Sequence, residues 1–209
     1  VVSSNRYNPQ MNYKFFMVPG ILALLLTMIG TNLTAINIVR EKEIGTIEQL
    51  NVTPIKKIHL ILGKLIPFWI LGLMVLGVGF IIARIFYGII PVGSFVTIYV
   101  FAAIYLLAVL GLGLLISSYS ATQQQAMLVS FFVLMIFVLM SGLYTSIDSM
   151  PDWAKWITKM NPVSYFIEVM RMVVLKGSTL ADISRQLYTI SFFAVVVNIW
   201  AVYSYRKRS

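Results

Sequence analysis

The chain has 209 residues, of which 59% are hydrophobic and only 11% charged, and its mean hydropathy is +0.89. This composition excludes an ordinary soluble domain. The formal net charge of +9 does not indicate nucleic-acid binding, because the basic residues lie at the ends of apolar runs, where anionic head groups and membrane topology explain them. The sequence contains no cysteine, which excludes a disulfide framework and a thiolate metal site. We therefore expect an integral membrane protein that binds no nucleic acid.

Five apolar runs of about 20 residues follow one another along the chain, and each is long enough to cross a hydrocarbon core of about 30 Å as a helix. None contains a charged residue, and none shows the alternation of a barrel strand. The sequence therefore predicts an all-α, polytopic transmembrane domain over residues 15–205 with five spanning helices. The runs cover residues 15–39, 65–83, 95–116, 126–143 and 187–205.

Basic residues set the expected orientation of these spans, since cytoplasmic loops are enriched in lysine and arginine. They are denser in the segment 40–64 and in the C-terminal YRKRS than in the segments on the opposite side. The sequence therefore predicts a multi-pass protein whose C-terminal tail, 206–209, is cytoplasmic and whose residues 1–14 end an extracytoplasmic segment. Because five spans place the two ends on opposite sides, and because the polar start lacks the features of a signal peptide, we expect a further span and an extracytoplasmic domain to precede the chain.

A polar segment, REKEIGTIEQLNVTPIKK at 40–57, separates the first two apolar runs. It contains seven charged residues, and a charged residue costs roughly 2.5 to 3.5 kcal/mol at the bilayer centre, so the segment lies in water or at the interface. Thr46 and Gln49 have the spacing of a capping box, in which two side chains satisfy free amides at a helix start. Gly45 permits a tight turn out of the preceding helix.

The same segment contains a second helix start at Thr53-Pro54, with threonine as N-cap and proline at the first helical position. We therefore expect the first span to continue through Glu43, to break at Gly45 and to be followed by a short helix at 47–52. Two roles remain open from these residues alone. The short helix either anchors the loop among lipid head groups or docks on a partner protein.

Two motifs resemble those of a known family. REKEIGTIEQLNVTPIKK is similar to the cytoplasmic coupling segment of ABC-2 type exporter permeases, whose pattern is roughly E-x-E-x-G-T-x-E-x-L-x-x-[ST]-P. NPVSYFIEVMRMVVLKG at 161–177 is similar to the extracytoplasmic hairpin of that family, N-P-x-x-Y-x-x-E-x-x-R. The motifs occur in the family's order, separated by the expected three spans, and the resemblance covers the chain from about Arg6 on.

The resemblance implies a six-span permease subunit that a separate ABC ATP-binding subunit drives. ATP and Mg²⁺ would be bound by that partner, and this chain would bind no cofactor itself. Two permease subunits, as a homodimer or a heterodimer, would enclose a pathway for drug-like or lipid-like cargo across a bacterial inner membrane. The residues that the resemblance assigns to ATPase coupling, within 40–57, are Glu41, Glu43, Gly45, Thr46, Glu48, Leu50, Thr53 and Pro54.

The resemblance identifies the segment 144–186 as an extracytoplasmic hairpin. Its aromatic residues and prolines predict two short helices broken at Asn161-Pro162, which form either an aromatic belt at the interface or a pair that re-enters the outer leaflet. Glu168 and Arg171 are three residues apart and are expected to form a weak ion pair. The hairpin residues are Pro151, Trp153, Trp156, Asn161, Pro162, Tyr165, Glu168 and Arg171.

No catalytic constellation is visible in the sequence. The single histidine, His59, favours a polar anchor at the start of the second span over a ligand role. Gly111 and Gly113 favour close helix packing over nucleotide binding, because no strand precedes them and a third glycine is missing. Without a Walker lysine loop the chain is not expected to be an enzyme, and ATP hydrolysis would be supplied by the partner.

Polar residues within the predicted spans are few. They either contact cargo or bond across helix interfaces, and the residues alone leave both roles open. The lack of charge within the spans disfavours a proton-coupled secondary transporter, which is the third of the three functions considered. The main alternative to an exporter permease is a membrane scaffold or a channel without ATP coupling. The polar residues are Asn32, Asn37, Ser130, Ser141 and Asn198.

Overall fold

A computed structural model describes residues 13–45, 57–144 and 147–206, and all regular structure in these ranges is helical. This confirms the all-α prediction. In chain order the elements are α1 (Tyr13–Met28), a π-helical turn (Ile29–Leu33), α2 (Thr34–Glu43), α3 (Lys57–Tyr87), α4 (Phe95–Tyr119), α5 (Gln123–Leu139), a 3-10 turn (Ile147–Ser149), α6 (Asp152–Lys159), α7 (Pro162–Lys176) and α8 (Ser184–Arg206).

Four helical stretches of the described chain are long and apolar enough to cross a membrane. The first combines α1, the π-helical turn and α2, and the others lie in α3, α4 and α8. They correspond to the first, second, third and fifth predicted runs, whose positions are thereby confirmed. The stretches are Met17–Glu43, Ile61–Tyr87, Phe95–Tyr119 and Ser184–Ser204.

The fourth predicted span is shorter than expected. The apolar run extends over 126–143, but α5 ends at Leu139 and has 17 residues, which corresponds to about 25 Å of helix. Ser141 Oγ donates to Val138 O at 2.6 Å, and Gly142 adopts φ +80°, the left-handed conformation that turns the chain out of the helix. The fourth helix is therefore present but ends four residues before the predicted run does, because the last residues of the run belong to a turn.

Helix α4 lies at the centre of the described helices. It contacts the first span, α3, α7 and α8, and its contact with α8 is the most extensive between any two described elements. A Cβ at Gly111 would lie 2.7 Å from Asn198 Nδ2, so the glycine leaves room for that amide, which donates to Leu107 O at 2.9 Å. The close packing predicted for Gly111 is confirmed, and Asn198 bonds across a helix interface.

The first span contains a π-helical turn, Ile29–Leu33, which no sequence pattern predicted. Its backbone approaches α4 at Gly113, where a Cβ would lie 2.6 Å from Thr31 O and 2.8 Å from Thr34 Cβ. Thr31 Oγ1 also donates to Val109 O at 3.5 Å. Such turns often mark functional or hinge positions in a helix. Gly113 therefore has the packing role that was predicted for it.

Candidate functional site

The charged end of α2 lies against the two helices that follow it in the chain. Glu41 accepts a hydrogen bond from Lys64 of α3, and the side chains of this ion pair are 29% and 16% exposed. Lys42 Nζ donates to the backbone oxygen of Ser117, within the last turn of α4. Carbonyl groups there lack intrahelical partners, and a cation complements the negative end of the helix dipole.

The last residue of α2 contacts a third helix. Glu43 Oε1 accepts the backbone amide of Gln123, the first residue of α5, at 2.9 Å, and Oε2 accepts the side-chain amide of the same residue. The first amides of a helix are free to bind an anion, and the helix dipole favours negative charge at this end. Three consecutive side chains therefore connect the end of the first span to α3, α4 and α5. We call Glu41, Lys42 and Glu43 the charged triad.

The predicted break after α2 is confirmed at Gly45. Its φ of +78° is left-handed, and its amide donates to Lys42 O at 3.2 Å, as in a glycine-terminated helix end. Nothing within 4 Å would contact a Cβ at this position, so backbone conformation alone favours glycine. The other predicted coupling residues, Thr46, Glu48, Leu50, Thr53 and Pro54, lie outside the described residues.

Glu41 and Glu43 were predicted to offer carboxylates to a partner subunit. In the structure both carboxylates bind helices of the same chain, and their contact with a partner stays a prediction. The residues that receive them, Lys64 and Gln123, were not predicted as site residues. They lie 23 and 80 residues along the chain from their partners, a separation at which sequence spacing carries no signal.

The predicted hairpin consists of α6 and α7, with the predicted break between them. Pro151 precedes α6, and its carbonyl accepts the amides of Ala154 and Lys155 at 2.9 and 3.1 Å. Asn161 is the N-cap of α7, where its Oδ1 accepts the Val163 amide at 3.0 Å. Pro162 takes the first helical position, in which its missing amide hydrogen costs nothing.

The hairpin supplies hydrogen bonds to the carbonyl end of the short helix α5. Asn161 Nδ2 donates to Phe137 O at 2.7 Å, and Thr158 Oγ1 donates to Met140 O at 3.2 Å. The Arg171 guanidinium donates to the carbonyl oxygen of Gly142 at 3.4 and 3.5 Å. In a hydrocarbon environment backbone groups must be satisfied by the protein itself. The hairpin therefore supplies donors to carbonyl groups at the end of α5, which have no partners within the helix.

Helix α7 packs into the bundle instead of lying over it. The Phe166 ring lies 4.4 Å from the Tyr105 ring and 5.8 Å from the Phe101 ring, centroid to centroid, and all three side chains are buried. Tyr105 is ten residues into α4, which corresponds to a depth of about 15 Å from the start of that helix. This packing favours the interpretation of a hairpin that re-enters over that of a belt on the surface.

The remaining hairpin residues occupy its outer part. Trp153 and Trp156 are 64% and 70% exposed, and Lys159 Nζ lies 5.0 Å from the centroid of the Trp156 ring. Tyr165 Oη donates to the carbonyl oxygen of Lys159 at 2.8 Å, which links the end of α6 to α7. The exposed tryptophans are in the position expected of aromatic residues at a membrane interface.

Glu168 and Arg171 have different partners in the structure. Glu168 Oε1 accepts Gln186 Nε2 of α8 at 3.0 Å, whereas Arg171 binds the Gly142 carbonyl at the end of α5. These two residues therefore attach α7 to two neighbouring helices, a role that their spacing of three residues did not predict.

The sequence is similar to known proteins over its whole length. Residues 1–203 match the profile of ABC-2 family transporter proteins. The chain is 31% identical over 208 residues to the "Probable multidrug ABC transporter permease YbhR" of Escherichia coli K12, covering 100% of this chain and 56% of the relative. It is 32% identical over 173 residues to "Probable multidrug ABC transporter permease YbhS" of the same organism, covering 82% and 46%.

A third relative, the "Inner membrane transport permease YhhJ" of E. coli K12, is 27% identical over 203 residues, covering 92% of this chain and 53% of that protein. The chain thus spans about half the length of the curated relatives it matches. The match of the family profile to nearly all residues agrees with the coupling and hairpin motifs and with the helical bundle. The chain belongs to the ABC-2 family of transporter proteins.

Proposed function

We propose that this chain is the C-terminal membrane part of a permease subunit that exports hydrophobic or amphipathic cargo across a bacterial inner membrane, driven by a separate ATP-binding subunit. The names of the relatives, two multidrug ABC transporter permeases and one inner membrane transport permease, support this proposal. The partner binds ATP and Mg²⁺, and two permease subunits enclose the pathway. The C-terminus is cytoplasmic.

The observation that carries the proposal is the charged triad. It lies at the start of the segment 40–57, which the resemblance identifies as the coupling segment, and the resemblance assigns Glu41 and Glu43 to ATPase coupling. Glu41, Lys42 and Glu43 hold the end of the first span against α3, α4 and α5. We therefore expect a displacement of this helix end to move α3, α4 and α5 with it.

The ATPase rate of the partner tests the proposal. The full-length subunit is reconstituted with its ATP-binding subunit in vesicles, and ATP hydrolysis is compared with that of the ATP-binding subunit alone. A coupled permease changes the rate, and the charged-triad variant Glu43→Lys removes the change while inserting normally. An unchanged rate with the wild-type subunit would favour a scaffold or a channel, in which the segment only anchors the loop.

A further inference from the structure

The turn between α3 and α4 forms one wall of a cleft of about 300 Å³. Apolar side chains line it, among them Phe80, Ile89 and Phe95, and the rings of Phe80 and Phe95 pack edge to face with centroids 5.5 Å apart. The turn is fixed in place, because the amides of Val92 and Gly93 donate to carbonyls of α7 at 3.1 and 3.0 Å. The cleft is therefore part of the packed structure.

Two polar side chains line this apolar cleft, Arg84 and Tyr99. Arg84 is in the last turn of α3, and within residues 13–45, 57–144 and 147–206 its guanidinium forms no hydrogen bond or ion pair. Five acidic side chains of the described residues are engaged elsewhere. Their partners are Lys64 for Glu41, Gln123 for Glu43, Lys155 for Asp152, Gln186 for Glu168 and Thr179 for Asp182.

Tyr99 supplies the second polar group, deeper in the cleft. A Cβ at Gly77 would lie 2.7 Å from Tyr99 Oη, so the glycine lets the hydroxyl approach the backbone of α3. In the described part of the chain this hydroxyl also has no hydrogen-bond partner. Gly77 lies seven residues before Arg84, so the hydroxyl is about 10 Å deeper along α3 than the arginine. The Arg84 guanidinium, in the last turn of α3, is thus the polar group of this apolar cleft at the level at which lipid head groups lie.

We propose that this cleft binds a single anionic phospholipid, with its phosphate on Arg84. Arginine binds phosphate through charge-assisted hydrogen bonds that fit its planar group. A cleft of about 300 Å³ is at the small end of ligand pockets and holds the head-group end of a lipid, not the whole molecule. The acyl chains then lie along Ile81 and Ile85, which are 59% and 70% exposed beside the cleft.

The proposal requires a lipid because the open side of the cleft is apolar. Ile90 and Val92 at its edge are 61% and 72% exposed, a surface that lipid chains cover without cost and that a free inorganic anion leaves uncovered. The site lies at the end of α3 and the start of α4, and the charged triad contacts the opposite ends of these two helices. It is therefore independent of ATP coupling, and either proposal can fail without the other.

A photoreactive residue at the mouth of the cleft tests this site. Benzoylphenylalanine replaces Ile90 in the full-length subunit, which is irradiated in vesicles of equal parts phosphatidylglycerol and phosphatidylcholine. The lipid adducts are then identified and quantified by mass spectrometry. We expect phosphatidylglycerol adducts to exceed phosphatidylcholine adducts by about five-fold, the effect expected of one basic residue near an anionic surface. Arg84→Gln should bring the ratio close to one.

Two matched controls separate a site from general charge attraction. Arg185→Gln removes one exposed positive charge from the start of α8, away from the cleft, and should leave the ratio at Ile90 unchanged. Benzoylphenylalanine at Phe192, which is 72% exposed on α8, should label the two lipids about equally. Equal ratios at Ile90 and Phe192, or equal losses with Arg84→Gln and Arg185→Gln, would overturn the proposal.

Discussion

Glu43, the last residue of α2, caps α5 by accepting the amide of Gln123, 80 residues away in the chain. This contact joins the end of the first span to the start of a helix that the hairpin holds at its other end through Asn161 and Phe137. Helix α5 is thus held at both ends by other elements. We therefore expect motion at the triad to reach the hairpin through α5.

Because Glu43 caps α5, we expect Glu43→Gln to weaken the stimulation of the partner ATPase. The variant has nearly the same shape but lacks the negative charge that the helix start favours. We expect normal insertion, a several-fold smaller stimulation of the partner ATPase, and faster hydrogen exchange at the Gln123 amide. Arg40→Gln, a neutralised and exposed neighbour on α2, is the matched control and should retain stimulation. Equal effects of the two variants would contradict the role of the cap.

Because Glu41 and Lys64 form an ion pair, we expect exchange of their charges to restore the transport and stability that either reversal alone removes. Either reversal alone, Glu41→Lys or Lys64→Glu, places like charges together and should lower transport and thermal stability. The double variant restores opposite charges and should recover most of both, with a coupling of about 1 kcal/mol for a partly exposed pair. The unfolding temperatures and transport rates of the four proteins give this cycle. Additive losses would show that the pair does not act as a unit.

Because Gly45 has a left-handed φ, we expect proline and asparagine at this position to affect the partner ATPase differently. Proline fixes φ near −65° and cannot adopt the +78° observed, whereas asparagine tolerates the left-handed region. Gly45→Pro should therefore insert normally but lose the effect on the partner ATPase, and Gly45→Asn should retain most of it. Full coupling in Gly45→Pro would mean that the direction of the chain after α2 is unimportant for the drive.

The π-helical turn makes Gly113 sensitive to size. In Gly113→Ala the new Cβ would lie 2.6 Å from Thr31 O, so the first span must move, and overpacking of this kind costs about 1 to 3 kcal/mol. The apparent unfolding temperature should fall. Gly63→Ala is the control: Gly63 is also helical but nothing lies within 4 Å of its Cβ position, so helix propensity should stabilise the variant. A similar response of both would contradict the close approach.

The loss of Asn161 should loosen the hairpin. Asn161→Ala removes the N-cap of α7 and the bond to Phe137 O at once, and a lost cap costs about 0.5 to 2 kcal/mol. We expect faster proteolysis or hydrogen exchange in α6 and α7 with the four long spans unaffected. Lys155→Ala, an exposed hairpin residue, should behave as wild type. Unchanged protection in Asn161→Ala would show that the cap does not hold the hairpin.

The sequence predicted the local breaks well because each has its own chemistry. Gly45 and Asn161-Pro162 end or start helices through conformations and side chains that act within a few residues. The early end of α5 was missed because Ser141 and Gly142 lower the apolar content of the run 126–143 only slightly, and the turn is visible only in the structure, where Gly142 has a left-handed φ. The apolar composition of a segment predicts whether it partitions into lipid, but it does not predict where a helix ends.

Contacts between distant segments could not be predicted in the same way. The three partners of the charged triad depend on where α3, α4 and α5 begin and end in space, and no spacing in a single sequence encodes these positions. The charges of Glu41, Lys42 and Glu43 were visible, and their motif favoured a partner protein. The structure adds that these side chains also hold the chain's own helices together.

A crosslink tests whether the segment after Gly45 contacts an ATP-binding subunit. Thr46→Cys is introduced into the full-length subunit with any other cysteines replaced, and candidate ATP-binding subunits carry a single cysteine in their cleft. Thr179→Cys, on the extracytoplasmic side of the proposed topology, is the control. We expect a crosslink at residue 46 whose yield changes with ATP, and none at 179. No crosslink at residue 46 with any partner, despite correct insertion, would contradict this contact and leave the segment as an interfacial anchor.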